Sequence, residues 1–253
     1  MERNNEQELV SIIIPVYNAS KFLKDTLNTI LNQTYTNFEA LFVNDCSSDN
    51  SADIILNCGD DRVKLINNET NSGAAISRNN GVKQAKGKYI CYIDADDLWE
   101  KDKLEKQVKF MQEKQCAFSF TGYEFADENG IPNGTKVSIP ERITYRQALK
   151  NTTIWTSTVM FDTEKMDKDL IYMPNVKSED TACWWNILKH IDCAYGLNIV
   201  LSYYRRSSGT LSSNKFEAIK RIWYLYRKVE KLNIIYAAYC FFFYALNAIK
   251  RRI

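Results

Sequence analysis

The sequence predicts an α/β fold: a mainly parallel central sheet flanked by helices, a mixed second half and a C-terminal helical tail. Three observations predict it. Strand-like and helix-like segments alternate as β-α-β-α-β-α-β over the first hundred residues, an order that implies right-handed crossovers and helices on both faces. The first strand-like run, residues 9–15, is too uniformly apolar to have one wet face, so it belongs in the middle of a covered sheet. The turns after the first, second and fourth runs carry Tyr17-Asn18, Asp45 and Asp94-Ala95-Asp96-Asp97. Ligands of such sheets bind beyond the carboxyl ends of the strands, where these turns fall.

Each element has its own justification. After the strand at 9–15, Ser20 is suited to cap a helix carrying Phe22, Leu23, Leu27, Ile30 and Leu31 at helical spacing. Residues 38–43 form the next strand, followed by a polar turn and a short helix over 51–57. A third strand covers 63–66, and a helix from 74 to 85 is ended by Gly87. The aromatic and β-branched run 89–93 is the fourth strand. A helix at 99–115 follows. Beyond it, short strand-like runs at 117–125, 158–161 and 199–204 surround one clear helix at 181–190, and this half is expected to hold a second ligand. From 214 to 253 the pattern is helical and dense in aromatic and basic residues.

Composition narrows the function classes. The 253 residues suffice for a sizeable core, and 45% hydrophobic with 25% charged residues is ordinary for a soluble globular chain. A net charge of +2 carries no signature of a nucleic-acid partner. The seven cysteines are scattered without CxxC spacing behind a polar start, Met1-Glu2-Arg3-Asn4-Asn5, and read as reduced cytosolic thiols. One histidine, His190, and cysteines without zinc-ligand pairing make a structural zinc site unexpected, and they leave little scope for a serine triad. Gly81–Lys88 is no phosphate loop, since its spacing is wrong and it leads from helix into strand. No Gly-x-Gly-x-x-Gly follows the first strand, which removes the dinucleotide fingerprint.

Four constellations are candidates for chemistry. The acids at 94–97 repel one another unless a hard cation compensates, and oxygen ligands of this kind suit Mg²⁺ or Mn²⁺ shared with substrate phosphates. Asp45 is either a cap or Asx turn, or a carboxylate accepting the imide N–H of a uracil base. Ser178-Glu179-Asp180 opens a helix, where acids favour the macrodipole, or turns Asp180 or Glu179 into a cleft as a general base. Arg205 and Arg206 end a strand or supply forked cations to a pyrophosphate.

Pro15-Val16-Tyr17-Asn18, Asn44-Asp45-Cys46-Ser47-Ser48-Asp49, Asn71-Ser72-Gly73 with Arg78-Asn79, the Asp94–Asp97 cluster and Ser178-Glu179-Asp180 occur in this order. Over residues 9–212 they resemble the successive motifs of family 2 inverting glycosyltransferases with the GT-A fold. Tyr204-Arg205-Arg206-Ser207-Ser208-Gly209-Thr210-Leu211-Ser212 and the basic, aromatic tail narrow the likeness to bacterial capsule, O-antigen and teichuronic-acid enzymes.

The resemblance implies a UDP-sugar donor bound by residues 1–98, with uracil near Tyr17 and Asp45. Pro15, Asn18, Asn71, Gly73, Arg78 and Ala95 then belong to the nucleotide-sugar site. Asp94 and Asp96 lie around ribose, diphosphate and a Mn²⁺ or Mg²⁺ ion held mainly by Asp96. Residues 99–213 receive the acceptor, a polyprenyl-diphosphate-linked saccharide, with Asp180 as base and Glu179 as its alternative. Many relatives carry a histidine where this chain has Ser207 or Ser208, so its role falls to Arg205, Arg206 or nothing. A nucleotidyltransferase and a non-catalytic nucleotide-sugar-binding module are the rivals; the first lacks its Gly-rich basic loop.

The tail, 214–253, admits two readings. Residues 232–249 are uncharged around Tyr239-Cys240-Phe241-Phe242-Phe243-Tyr244, with Lys and Arg on both sides. That suits an interfacial helix on the anionic inner face of the cytoplasmic membrane better than a span. The other reading is a helix packed on the domain's own core.

Overall fold

The computed structural model describes residues 7–206 and 215–250. Its sheet begins with four parallel strands: β1 (Val10–Val16), β2 (Phe38–Asn44), β3 (Val63–Asn67) and β4 (Tyr89–Tyr92). Their spatial order is β3-β2-β1-β4, so the winding reverses beside β1. Ile13 pairs with Leu41 on one side and with Tyr92 on the other. A crevice opens at such a reversal, because the loops leaving neighbouring strands turn opposite ways.

The second half extends the same sheet with mixed pairing. β9 (Met160–Asp162) runs antiparallel between β4 and β6 (Phe118–Ala126), and β10 (Ala194–Arg205) lies parallel to β6. The short strands β5 (Leu98–Trp99) and β8 (Arg142–Ile143) pair with β10, and β7 (Pro132–Val137) forms a hairpin with β6.

Both faces are covered, as the uniform first strand demands. Val10, Ile12, Ile14 and Val16 point to a core capped by α1 (Ser20–Leu31), α2 (Ser51–Leu56) and α4 (Lys103–Lys114). Ile13 points to the opposite core, under α3 (Ala74–Gln84), α6 (Glu179–His190) and the tail helices. Between β7 and α6 lie the one-turn helix α5 (Tyr145–Ala148) and a 3-10 turn, Thr156–Thr158.

Several local expectations are corrected. Ser20 is the first residue of α1, not its cap; its backbone N–H donates to Asp49 at 2.9 Å instead. Gly87 does not close α3, which ends through extended Ala85. Its glycine is needed because a Cβ there would lie 2.6 Å from the Ser11 backbone nitrogen. The helix expected from residue 99 starts at Lys103, since Trp99 is taken by β5 and pairs with Ser202.

The tail packs on the domain's own core and also leaves apolar residues outward. α7 (Lys215–Tyr224), a π-helical turn at Leu225–Val229 and α8 (Ile234–Lys250) pack on the second core through Ile222, Leu225, Tyr226, Ala237 and Cys240. Apolar residues of α8 are also left in solvent, Ile235 at 81% and Phe242 at 60% exposure. No helix among the described residues is long and apolar enough to cross a membrane.

Candidate active site

The crevice beside β1 holds an open cleft of about 480 Å³. Pro15, Tyr17, Asn18, Asp45, Asn71, Gly73, Arg78, Asp94, Ala95 and Asp96 all line it. Ten of the residues singled out in the sequence therefore meet in one place, from four separate stretches of chain.

The loops after β1 and β2 are interlocked. Asn18 and Cys46 both take left-handed backbone angles, φ 47° and 61°, which Asn tolerates and most residues resist. The Asn18 N–H donates to Ser47 Oγ at 3.1 Å, and its side-chain oxygen accepts from the Ser48 N–H at 2.8 Å. Ala19 N–H and Ser20 N–H reach Ser51 Oγ and Asp49. Tyr17 projects above this lattice, 56% exposed and available for stacking.

Asp45 anchors the third loop. Its carboxylate accepts from Asn68 Nδ2 at 2.7 Å, Ser72 N–H at 2.9 Å and Gly73 N–H at 2.7 Å. Burial alone would raise its pKa, but these donors outweigh burial and hold it below the usual carboxylate range. Gly73, at φ 83°, supplies the left-handed step that aims its amide at Asp45 and opens α3.

Arg78 joins the two halves of the sheet. Buried on α3, its guanidinium reaches Asp94 at 2.6 Å, beyond β4, and Glu179 at 2.9 Å, at the start of α6. Burial disfavours its charge, yet Asp94 and Glu179 more than offset that and hold it firmly cationic. Next to Glu179, Asp180 is half-buried and accepts from Thr156 Oγ1 at 3.3 Å and the Thr181 N–H at 2.6 Å. Burial, reinforced by the Glu179 charge, raises its pKa. Asp180 and Glu179 do not line the cleft itself; they stand behind Arg78, on the side of the second half.

The acidic turn is fixed from both sides. Thr26 Oγ1 donates to the carbonyls of Ala95 and Asp97, both at 2.9 Å. Ser157 Oγ accepts from the Asp94 N–H at 3.1 Å and donates to Asp97 at 2.5 Å. Asp97 is fully buried, and burial with the charges of Asp96 and Asp94 pushes its pKa well up; it braces the turn from beneath. Asp96 is different. Burial and Asp94 push it up to about 6, and among the described residues no side chain donates to its carboxylate. Asp94 and Asp96 fit Mn²⁺ or Mg²⁺ if substrate phosphates complete the oxygen shell; the described residues provide no cluster of three ligands by themselves.

Arg205 and Arg206 do not line the cleft. Arg205 is buried beneath the acidic turn, donating to the Asp96 carbonyl at 2.8 Å, the Glu128 carbonyl at 3.0 Å and Asp25 at 3.1 Å. Arg206 stacks on Phe125, 3.6 Å from the ring centroid. Ser207 and Ser208 lie outside the described residues. Thr156 and Ser157 touch the site without any mark in the sequence, since nothing in an isolated Thr-Ser-Thr run announces a brace, and Phe22, expected only as an apolar position of the first helix, lines the cleft.

The sequence profile described as Glycosyl transferase family 2 matches residues 11–175. The chain belongs to this family. As a family 2 glycosyltransferase it is an enzyme, which removes the nucleotidyltransferase and the non-catalytic module. TuaG of Bacillus subtilis (strain 168), a glycosyltransferase assigned to teichuronic acid biosynthesis, is 43% identical over 98% of this chain and 99% of its own. The Escherichia coli enzyme WfgD is 39% identical over 85% of this chain and 84% of its own, and is a UDP-Glc:α-D-GlcNAc-diphosphoundecaprenol β-1,3-glucosyltransferase. Among solved structures, the mannosyltransferase PcManGT of Pyrobaculum calidifontis, in complex with GDP-Man and Mn²⁺, superposes with a TM-score of 0.70 at 18% identity. That match covers 90% of this chain and 66% of the other. The family 2 enzyme thus has the expected GT-A fold, and a neighbour of that fold holds Mn²⁺.

Proposed function

We propose that this glycosyltransferase moves a hexose, glucose in the first instance, from its UDP-sugar to a hydroxyl of a polyprenyl-diphosphate-linked saccharide. The product belongs to a bacterial surface polysaccharide, and the enzyme works at the inner face of the cytoplasmic membrane. One observation carries the reading: Arg78 ties Asp94, on the donor side, to Glu179 and its neighbour Asp180. Donor cleft and candidate base are thereby held at one junction.

Tyr17 stacks on the pyrimidine, and Asp45 Oδ2, which takes one bond from Gly73, keeps a lone pair for the imide N–H. Asp94 and Asp96 hold the divalent ion. When bound it supplies Lewis-acid stabilisation of the negative charge developing on the leaving diphosphate. Asp180 accepts the proton of the acceptor hydroxyl as its oxygen bonds to the anomeric carbon and the bond to UDP breaks. Attack opposite the leaving group inverts the centre, so an α-linked donor gives a β-linked product. Its raised pKa suits Asp180 to this task, since a stronger base takes the proton more readily.

The test is Asp180→Asn, which keeps shape and removes basicity. UDP affinity should persist while turnover, read as UDP release, falls roughly a hundredfold or more. Loss of activity in Glu179→Gln with an active Asp180→Asn would transfer the role to Glu179.

A further inference from the structure

Beside α8 lies a second cavity, about 250 Å³, lined by Arg142, Gln147, Lys150, Asn151, Phe243 and Asn247. Nothing in the transfer chemistry uses it. One of its two cations is held by aromatic rings: Lys150 sits 5.4 Å from the Tyr239 ring centroid and 5.8 Å from that of Phe243. The Lys150 carbonyl accepts from Asn247 Nδ2 at 2.9 Å, which fastens the end of α5 to α8. Among the described residues, neither Arg142 nor Lys150 has a carboxylate partner within ion-pair distance.

Along α8, Ile235, Tyr239, Phe242, Leu246 and Ile249 are exposed. Their spacing of four, three, four and three residues makes one stripe on a helix of 3.6 residues per turn. Ala237 and Cys240 hold the opposite face in the core. At about 100° per residue, Phe243 and Asn247 fall between the two faces, so the cationic cavity opens along one border of the stripe. An apolar stripe edged by cations matches the layering of a membrane surface, acyl chains beneath phosphates. The 17 residues of α8 rise about 25 Å, short of the roughly 30 Å hydrocarbon core, so the helix lies in the interface and does not span. Lys250 ends α8, and Arg251 and Arg252 follow it in sequence.

We propose that the outer stripe of α8 docks on the bilayer while the Arg142–Lys150 cavity receives the phosphate headgroup of an anionic phospholipid. This rests on the functional reading above only in expecting a lipid-linked acceptor. The site orients the enzyme on the membrane and is separate from the transfer machinery.

The experiment uses the full chain in flotation against vesicles of phosphatidylcholine alone or mixed with phosphatidylglycerol. The intact enzyme should float with the anionic vesicles. Arg142→Gln with Lys150→Gln should weaken that partitioning about thirtyfold, each cation at an anionic surface contributing about 1 kcal/mol. Phe242→Ser with Leu246→Ser should abolish flotation on either vesicle. Both variants should keep the melting temperature and the UDP release of the intact enzyme with a water-soluble saccharide acceptor. A failure of that assay in the intact enzyme would count against the proposed function and leave the flotation result standing. Absence of flotation by the intact chain, or equal partitioning after loss of both cations, overturns the headgroup site. So does a lipid-independent dimer that Phe242→Ser dissociates, since a second copy would then cover the stripe.

Discussion

If Asp96 holds the divalent ion as proposed, activity and stability oppose each other there, and Asp96→Asn separates the two. Burial and the neighbouring Asp94 hold its carboxyl at about 6 against an ordinary 3.8. An acid whose pKa rises on folding disfavours the folded state once it is ionised. Its contribution is therefore neutral below about pH 3.8, grows unfavourable between 3.8 and about 6, and stays unfavourable above. At 1.36 kcal/mol per pH unit the gap amounts to about 3 kcal/mol, and the residual solvent exposure of Asp96 reduces this to about 2 kcal/mol. Without divalent ions at pH 8, Asp96→Asn should melt about 4–8 °C above the unmodified enzyme. At pH 4 the two should coincide within a degree or so. Adding Mn²⁺ and UDP should raise the melting temperature of the unmodified enzyme and leave the variant largely unmoved. Transfer should fail in the variant and, in excess EDTA, in both. Scanning fluorimetry across pH with and without chelator supplies the measurement. A variant less stable than the parent at pH 8, or equally shifted at both pH values, refutes the account of Asp96 as an uncompensated carboxylate awaiting a cation.

Arg78→Met leaves Asp94 and Glu179 without their shared cation. Breaking such a buried pair costs about 3 kcal/mol, so the melting temperature should fall by roughly 6–12 °C at pH 7.5, and a fall under 2 °C would contradict the bridging role. Gly81→Ala tests the contact of α3 with β1: its Cβ would lie 2.5 Å from Ile13 Cγ2, and overpacking of this kind costs about 1–3 kcal/mol. Chemical denaturation should show that loss with an unchanged m-value.

The parallel half was legible because its information is local. Periodicity, β-branched runs and acidic turns located β1 to β4 within a residue or two, and the ten cleft residues came from motifs at their ends. What escaped was tertiary. Ser157 braces the acidic turn across 63 residues of chain, and no local pattern announces such a bond. Arg205 looks like a phosphate ligand because a forked cation follows a strand; its burial under the Asp96 carbonyl depends on how β10 meets the turn after β4. Gly87 illustrates the same gap, since a glycine after a helix is equally suited to cap it or to pass close to another strand. The tail was ambiguous for a different reason. An uncharged helix gives one compositional signal whether a face is covered by protein or left outward, and α8 does both.

The lattice joining the turns after β1 and β2 has a kinetic consequence. Left-handed Asn18 and Cys46 are conformations a free loop seldom visits, and the hydrogen bonds through Ser47, Ser48, Asp49 and Ser51 hold them before any nucleotide arrives. Ordering one loop residue costs roughly 1–2 kcal/mol of backbone entropy, and here folding has already met that cost. On the proposed function, a base would meet this surface already in shape, so its capture is expected to be limited by diffusion and orientation, not by loop rearrangement.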